Sequence, residues 1–239
     1  MRVSIIIPTW NEEAILPTLF SNLRAQSFRD FEVIVADANS SDRTREIATG
    51  FGARVVPGGL PGAGRNAGAR VAQGEILLFL DADVVLPDPG FLEATVREFE
   101  TKRFDLSTCL LMPISTRLGD RIMLWFYNAY TLATTRILAH VPGFCVFVKR
   151  SLHEKIHGFD EQVVFAEDHE YARRAVQFGR FGFLKSRKLP MSMRRFDRDG
   201  RLQTALKYAC AEVYMIFKGG IKSDIFKYSF GHKNPEAKS

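Results

Sequence analysis

Cysteine is scarce in this chain. Three occur in 239 residues, Cys109, Cys145 and Cys210, far apart in sequence and each among apolar neighbours. Without a paired spacing there is no disulfide framework and no cysteine-type metal site, a pattern of reduced, intracellular proteins. Any apolar run long enough to cross a bilayer is also missing, since a span needs about 20 such residues. The opening MRVSIIIPTWNEE holds only a short apolar run, Val3 to Ile7, before charged residues, so no signal peptide is expected. Internal repeats and Pro/Gly-rich linkers are lacking too, so two halves, if present, should share one core.

Hydrophobic residues make up 46% of the chain, enough for a sizeable core in one large α/β domain or two small ones. The net charge of +6 is unevenly placed: from Arg180 onward Lys and Arg number 14 against 5 Asp and Glu, while residues 1–179 hold 19 against 22. A basic final quarter points to an anionic partner such as phosphates, a lipid surface or nucleic acid.

Apolar runs at VSIII, FEVIVA, ARVV and EILLFL read as buried strands. Helical patterns separate them. Ile15, Leu16, Leu19, Phe20 and Leu23 recur at helical spacing, with Asn11 as the expected cap and Pro17 in the first turn. SSDRTREIATGFG reads as cap, short helix and glycine stop, and GAGRNAGARVAQG as a glycine-rich helix start. DPGFLEATVREFE is a helix with Asp88 as cap and Pro89 at its first position. Such alternation implies a mostly parallel sheet with helices on both faces. Ligands of such sheets bind beyond the carboxyl ends of the strands. Thr9 and Asn11, Asp37 and Asn39, and Asp81 and Asp83 all follow strands and therefore share that edge. After Glu100 the order is less regular: strands at FDLSTCLLMP and GFCVFVKR, a long apolar helix at DRIMLWFYNAYTLATTRILA, and helices at EDHEYARRAVQFG and LQTALKYACAEVYMIF.

Three motifs compete. GAGRNAG offers a GxGxxxG with Asp81 further on, as in dinucleotide-binding folds. Only a short RVV precedes those glycines, and the first strand ends without any, so close helix–strand packing with Arg65 aimed at the cleft is the better reading. HEKIH, His153 to His157, matches the zinc-protease HExxH, with Glu154 placed to activate a water. Gly158 ends that helix at once, and of a third ligand there are only Glu161 and Glu167 nearby in sequence. The third motif, Asp81-Ala82-Asp83, terminates a buried strand in line with Asp37. Hard Mg²⁺ or Mn²⁺ ions take such carboxylates together with substrate phosphates.

SIIIPTWNEE, VIVADANSSDRT, GAGRNAG, LLFLDADVVLP, GFCVFVKRSLHEKIHGFDE and EDHEYARR, in this order from about Val3 to about Arg201, resemble the family 2 glycosyltransferases of the GT-A fold. That resemblance implies an inverting, metal-dependent transfer of one sugar from a nucleotide-diphospho-sugar, UDP-sugar favoured, to a hydroxyl acceptor. Pro8, Thr9, Glu12 and Asp37 would hold base and ribose, Asp81 the ribose or sugar, and Asp83 the Mn²⁺ or Mg²⁺ ion. Asp168 would be the general base, with Glu167 and Arg174 on the acceptor side. Arg65, Arg194 and Arg195 would add charge to the diphosphate. The sequence departs from the family pattern in four places. Asp37-Ala38-Asn39 stands where Asp-Asp-Gly is usual, Trp10 where Tyr is common, and Tyr171 where Leu is common. MRRFDRDGR replaces the Gln-x-x-Arg-Trp of processive members, which implies single-sugar transfer.

On this reading residues 1–100 form a nucleotide-sugar-binding half and 101–200 an acceptor-binding half of one domain. Residues 201–230 form an amphipathic helical segment and 231–239 a disordered tail. Ile122 to Thr135 is uncharged but too short to span, and Trp125, Tyr127 and Tyr130 are residue types that favour bilayer interfaces. Together with Tyr208, Tyr214, Met215, Ile216 and Phe217, ringed by Lys207, Lys218, Lys222 and Lys227, they imply a monotopic contact with anionic lipid and a lipid-linked acceptor. The opposing expectation is that these helices pack on each other or on a second copy. The expected location is cytoplasmic, peripheral on the inner membrane face, with no nucleic-acid partner. Two rival functions are a nucleotidyltransferase, which would need a glycine-rich basic loop after the first strand, and an inactive carbohydrate- or lipid-binding module. Retention of both Asp83 and Asp168 argues against the second.

Overall fold

A computed structural model describes residues 2–135, 141–163 and 166–193. The first half alternates strand and helix: β1 (Val3–Thr9), α1 (Leu16–Ala25), β2 (Phe31–Asp37), α2 (Thr44–Phe51), β3 (Arg54–Pro57), α3 (Pro61–Val71), β4 (Ile76–Leu80) and α4 (Phe91–Thr101). The second half is β5 (Leu106–Pro113), α5 (Leu118–Thr134), β6 (Cys145–Lys149), α6 (Arg150–Lys155), α7 (Glu167–Ala175) and β7 (Phe181–Met191). All strands join one sheet in the order β3-β2-β1-β4-β6-β5-β7. Only β6 runs against its neighbours; β1 pairs parallel with β2 and β4, and β5 with β7. Because β6 is reversed between β4 and β5, the carboxyl ends of β1, β2, β4, β5 and β7 all meet one edge.

β1 and β4 are buried along nearly their whole length, which is why they read as uninterrupted apolar runs. One core lies on the α1, α2 and α4 face, around Ile5, Ile7, Leu19, Leu78, Phe91 and Phe147. The other lies under α3 and α7, around Ile6, Leu77, Phe79, Phe159 and Tyr171. The glycines of α3 make that second face possible. A Cβ at Gly68 would run into the Ile6 side chain, and one at Gly64 would sit 3.3 Å from Pro8 Cβ. GAGRNAG is thus a packing surface inside a helix rather than a phosphate loop.

Local expectations fail at two helix starts and one strand. Asn11 does not cap α1. It adopts a left-handed backbone, φ 55°, and its side-chain oxygen accepts the Ser41 N–H, while Ile15 precedes the helix without a side-chain cap. Asp88 accepts the Gly90 N–H and pairs with Arg187, so α4 begins at Phe91 rather than at Pro89. β7 has no counterpart in the sequence reading. Cys109 and Cys145, distant in the chain, lie on adjacent strands β5 and β6. Both are buried and free, and the hydrogen bond between them, with burial, pushes the Cys109 thiol well above the usual range. The expected segments 201–230 and 231–239 lie outside the described residues, as does Cys210.

Candidate active site

β4 delivers Asp81 and Asp83 to the shared edge, Asp81 half-buried and Asp83 exposed. The cation expected beside them is Arg65 of α3, only 2% exposed. Its Nη2 donates to Asp81 at 2.9 Å and to the Gly143 carbonyl at 3.2 Å, and its Nη1 donates to Glu167 at 2.7 Å. Arg65 therefore bridges an acid of the first half to an acid of α7, instead of pointing free into the cleft. The two carboxylates hold its pKa above the ordinary value despite the opposing cost of burial. Its Nε is buried with no hydrogen-bond partner. The guanidinium also lies 5.4 Å from the Phe159 ring centroid, a cation–π contact.

Phe159 is itself held on both sides of its backbone by Asn66, the residue that follows Arg65 on α3. Asn66 Oδ1 accepts the Phe159 N–H at 2.9 Å, and its Nδ2 donates to the Phe159 carbonyl and to Glu161, each at 2.9 Å. Gly158 lets the loop approach: its φ is +69° and a Cβ there would strike the Asn66 amide oxygen. The Arg-Asn pair thus has two jobs, charge from Arg65 and loop anchoring from Asn66, and sequence reading found only the first.

α7 places Glu167 and Asp168 at its first turn, where the helix dipole favours acids. Ala166 precedes them in a left-handed conformation, φ 56°, a backbone state that non-glycine residues adopt rarely. Asp168 Oδ2 accepts the Gly143 N–H at 2.6 Å and Oδ1 the His169 N–H at 2.8 Å. One residue, Gly143, therefore binds Asp168 through its N–H and Arg65 through its carbonyl. A side chain at Gly143 would collide with the Asp168 carboxylate. Gly143 opens the GFCVFVKR stretch, but the motif assigned it no role, because it acts through its backbone alone. Burial raises the Glu167 pKa, with Asp168 adding to the rise and Arg65 opposing it.

At the ends of β1 and β2, Thr9 donates to Asp37 at 3.1 Å, and the Ser40 hydroxyl and N–H donate to the same carboxylate at 2.5 and 2.9 Å. Arg45 lies 3.6 Å from it. Thr9 and Asp37, both buried, thus tie β1 to the loop after β2. Asn39 takes a left-handed φ of 60°, the state that the glycine of the usual Asp-Asp-Gly supplies at no steric cost. Pro8 is half-buried against α3, and Trp10 is exposed at the strand end. Glu12 feels the charge of the Asp81–Asp83 pair. Burial, then the negative charge of Asp83, Asp81 and Asp42, pushes its pKa up to about 7. Its Oε2 is buried with no hydrogen-bond partner.

Arg174 is fully engaged elsewhere. It forms a two-point pair with Glu170 and donates to the carbonyls of Ile156 and Gly158. Tyr171 is a core residue, stacked on Phe159 at 4.0 Å and bonded through its hydroxyl to His153 Nδ1 at 3.0 Å. That bond dissolves the HExxH reading. His153 is buried, and burial with the nearby Arg174 charge depresses its pKa to about 4, while His157 has left the helix with a φ of 58°. Among the described residues no three His, Cys, Asp or Glu side chains form a metal cage by themselves. Carboxylate oxygens are the donors that hard divalent cations take, and Glu12, which feels the charge of Asp83 and Asp81, keeps one oxygen buried without a hydrogen-bond partner. Arg194 and Arg195 lie outside the described residues.

The family model "Glycosyl transferase family 2" matches residues 4–157. A 4,4'-diaponeurosporenoate glycosyltransferase of Staphylococcus haemolyticus is 39% identical over 111 residues, covering 43% of this chain and 29% of that protein. A mannosyltransferase from Pyrobaculum calidifontis, solved with GDP-Man and Mn²⁺, superposes with a TM-score of 0.66 at 25% identity, over 80% of this chain and 56% of its own. Residues 1–349 of TarS from S. aureus, in complex with UDP, superpose with a TM-score of 0.64 at 23% identity, over 80% of this chain and 60% of the other. The chain thus spans less than two thirds of each of these proteins.

Proposed function

The chain belongs to glycosyltransferase family 2, and from that premise we propose that it transfers one sugar, with inversion, from a nucleotide-diphospho-sugar to a hydroxyl acceptor. The observation that carries this reading is the Arg65 bridge from Asp81 to Glu167. It sets the strand-end acids that would face the donor beside the helix-start acid that would face the acceptor.

In this scheme Glu12, Asp81 and Asp83 surround the sugar-diphosphate, and Asp83, with Glu12 close by, would hold the divalent cation. When bound, Mn²⁺ or Mg²⁺ supplies Lewis-acid stabilisation of the leaving diphosphate. Arg65 is pre-set on its two carboxylates and adds fixed positive charge in a buried site, where it acts more strongly than in water. An acceptor hydroxyl is a poor nucleophile until a base takes its proton. Asp168 fills that role. The Gly143 and His169 N–H groups hold its carboxylate at a fixed angle while leaving lone pairs for the incoming hydroxyl. Attack opposite the diphosphate inverts the anomeric carbon. The UDP and GDP-Man named for the two solved relatives support a nucleotide-sugar donor, and the Mn²⁺ of one supports a divalent ion; the preference for a UDP-sugar rests on the family resemblance. Asp37, saturated by protein donors, would act on the donor by holding Thr9 and the loop after β2 in place. A lipid-linked acceptor and a peripheral membrane setting complete the proposal.

Asp168→Asn tests it. Calorimetry with Mn²⁺ and a panel of UDP- and GDP-sugars should show donor binding unchanged, while transfer falls by about 10²–10⁴-fold, the usual contribution of a general base. Normal turnover would remove Asp168 from the mechanism, and absence of any donor binding in the unaltered protein would remove the reaction.

A further inference from the structure

α5 carries the largest exposed apolar surface among the described residues. Leu118 is 68% exposed, Trp125 64% and Phe126 62%, with Ile122 and Tyr130 also exposed; Met112 and Ile114 extend the patch back onto the end of β5. Leu118, Ile122, Trp125, Ala129 and Leu132 fall at alternating four- and three-residue spacings, so they line one face of the helix. Side chains of this size in one contiguous patch mark a contact surface.

Charge decides what kind of surface it meets. Between Leu106 and Thr135 the only acid is Asp120, and it is buried, whereas Arg117 and Arg121 are exposed beside the apolar stripe. An aromatic and aliphatic face flanked by cations alone is complementary to anionic lipid headgroups over an acyl layer. A second copy docked through the same stretch, Leu106 to Thr135, would bring the same cations against the same face, with only the buried Asp120 as a carboxylate. The helix of 17 residues is too short to cross a bilayer, and no described helix is long and apolar enough to do so. A helix lying in the interface has no such length requirement.

We propose that this face of α5 seats in an anionic membrane surface and so brings the acceptor side of the cleft to the lipid boundary. The fold supports the second clause. β5 ends at the same sheet edge as β4, and Asn128 in mid-helix bonds both the N–H and the carbonyl of Leu111, pinning α5 along that edge. The chain that leaves α5 goes on to supply Gly143, the partner of Asp168. A hydroxyl carried on a lipid would then reach Asp168 from the bilayer side. That consequence rests on the transfer reading, whereas the lipid contact stands on the surface alone.

The chain has two tryptophans, Trp10 and Trp125. In the full-length Trp10→Phe variant, Trp125 is therefore the sole indole reporter. Mixing with phosphatidylcholine vesicles containing phosphatidylglycerol should shift its emission to the blue, and brominated acyl chains should quench it. Pure phosphatidylcholine or 0.5 M salt should weaken the effect, because the Debye length falls to a few ångströms. Trp125→Ser/Phe126→Ser should lower vesicle partitioning by at least about tenfold while leaving donor hydrolysis in solution intact. The proposal is overturned by co-sedimentation without quenching of Trp125, which would place the contact elsewhere. Concentration-dependent dimerisation that Phe126→Ser abolishes would overturn it in favour of a second copy. Resistance of Trp125 to acrylamide in the lipid-free monomer would overturn it in favour of the chain's own remaining residues. No arm uses donor or acceptor turnover to read binding, so its failure leaves the transfer reading standing, and the reverse.

Discussion

Replacing Arg65 by methionine tests the central bridge. The stem keeps its bulk and the charge is lost. The two ion pairs on the guanidinium are unequal: the Glu167 side chain is 12% exposed and that of Asp81 38%. Stranding a buried carboxylate costs about 3–5 kcal/mol. Asp81 is wet enough that its share is about 0–1 kcal/mol, as for exposed pairs. The substitution should therefore cost about 3–5 kcal/mol near pH 8, read as a fall of about 1–5 M in the urea midpoint for a slope of about 1–3 kcal/mol/M. The pH dependence carries a definite sign. Burial already raises the Glu167 pKa against the pull of Arg65, and without Arg65 it rises further. A raised acid pKa lends stability that is full below the unfolded value and is lost as pH rises through the folded value. The deficit of Arg65→Met should accordingly shrink from pH 8 to pH 5. Adding Glu167→Gln should recover at least about 1 kcal/mol, within the usual range for coupled neighbours. A deficit equal at both pH values and unrelieved by the second change would locate the energy in packing against Phe159 and refute the ion-pair account.

Two further outcomes follow from the same structure. Gly50→Ala, where nothing lies within 4 Å, should stabilise by about 0.5–1 kcal/mol through helix propensity, whereas Gly68→Ala should destabilise by about 1–3 kcal/mol because its Cβ meets Ile6; thermal melts giving both the same sign would contradict the packing role of α3. Glu12, lifted from 4.5 to about 7, lends stability that is full below pH 4.5 and lost as pH rises toward and through 7. Glu12→Gln should flatten the melting temperature across that window, and an unaltered profile would mean that Glu12 does not titrate there.

The sequence made the sheet legible where burial is complete. β1, β2 and β4 are continuous apolar runs, and their ends gather the acids by topology alone. β7 was not legible because its middle carries Lys185, Arg187 and Lys188 at the sheet's edge, and its pairing with β5 shifts register between Cys109 and Leu110, so no clean alternation survives. At the site, Asp81, Asp168 and Arg65 could be named from motifs, and the structure does set Arg65 between acids of the two halves. The roles of the groups that hold them could not be: Gly143 acts through its backbone, and Asn66 anchors a loop more than ninety residues away. Arg174 shows the reverse case, since a cation in the right motif turns to the carbonyls that end α6.

The match to the family model ends at residue 157, yet the fold does not. A chain cut there would keep every matched position and lose both carboxylates of α7. It would also uncover β5, whose uncharged LSTCLLMP is mated over eight residues by β7. A bare strand of that composition is a template for intermolecular pairing. The lysines and arginine that hid β7 from view are the feature that lets it serve as the outermost strand: they make the final rim of the sheet unattractive to another molecule, and expression of the shortened chain should give aggregates where the longer one stays dispersed.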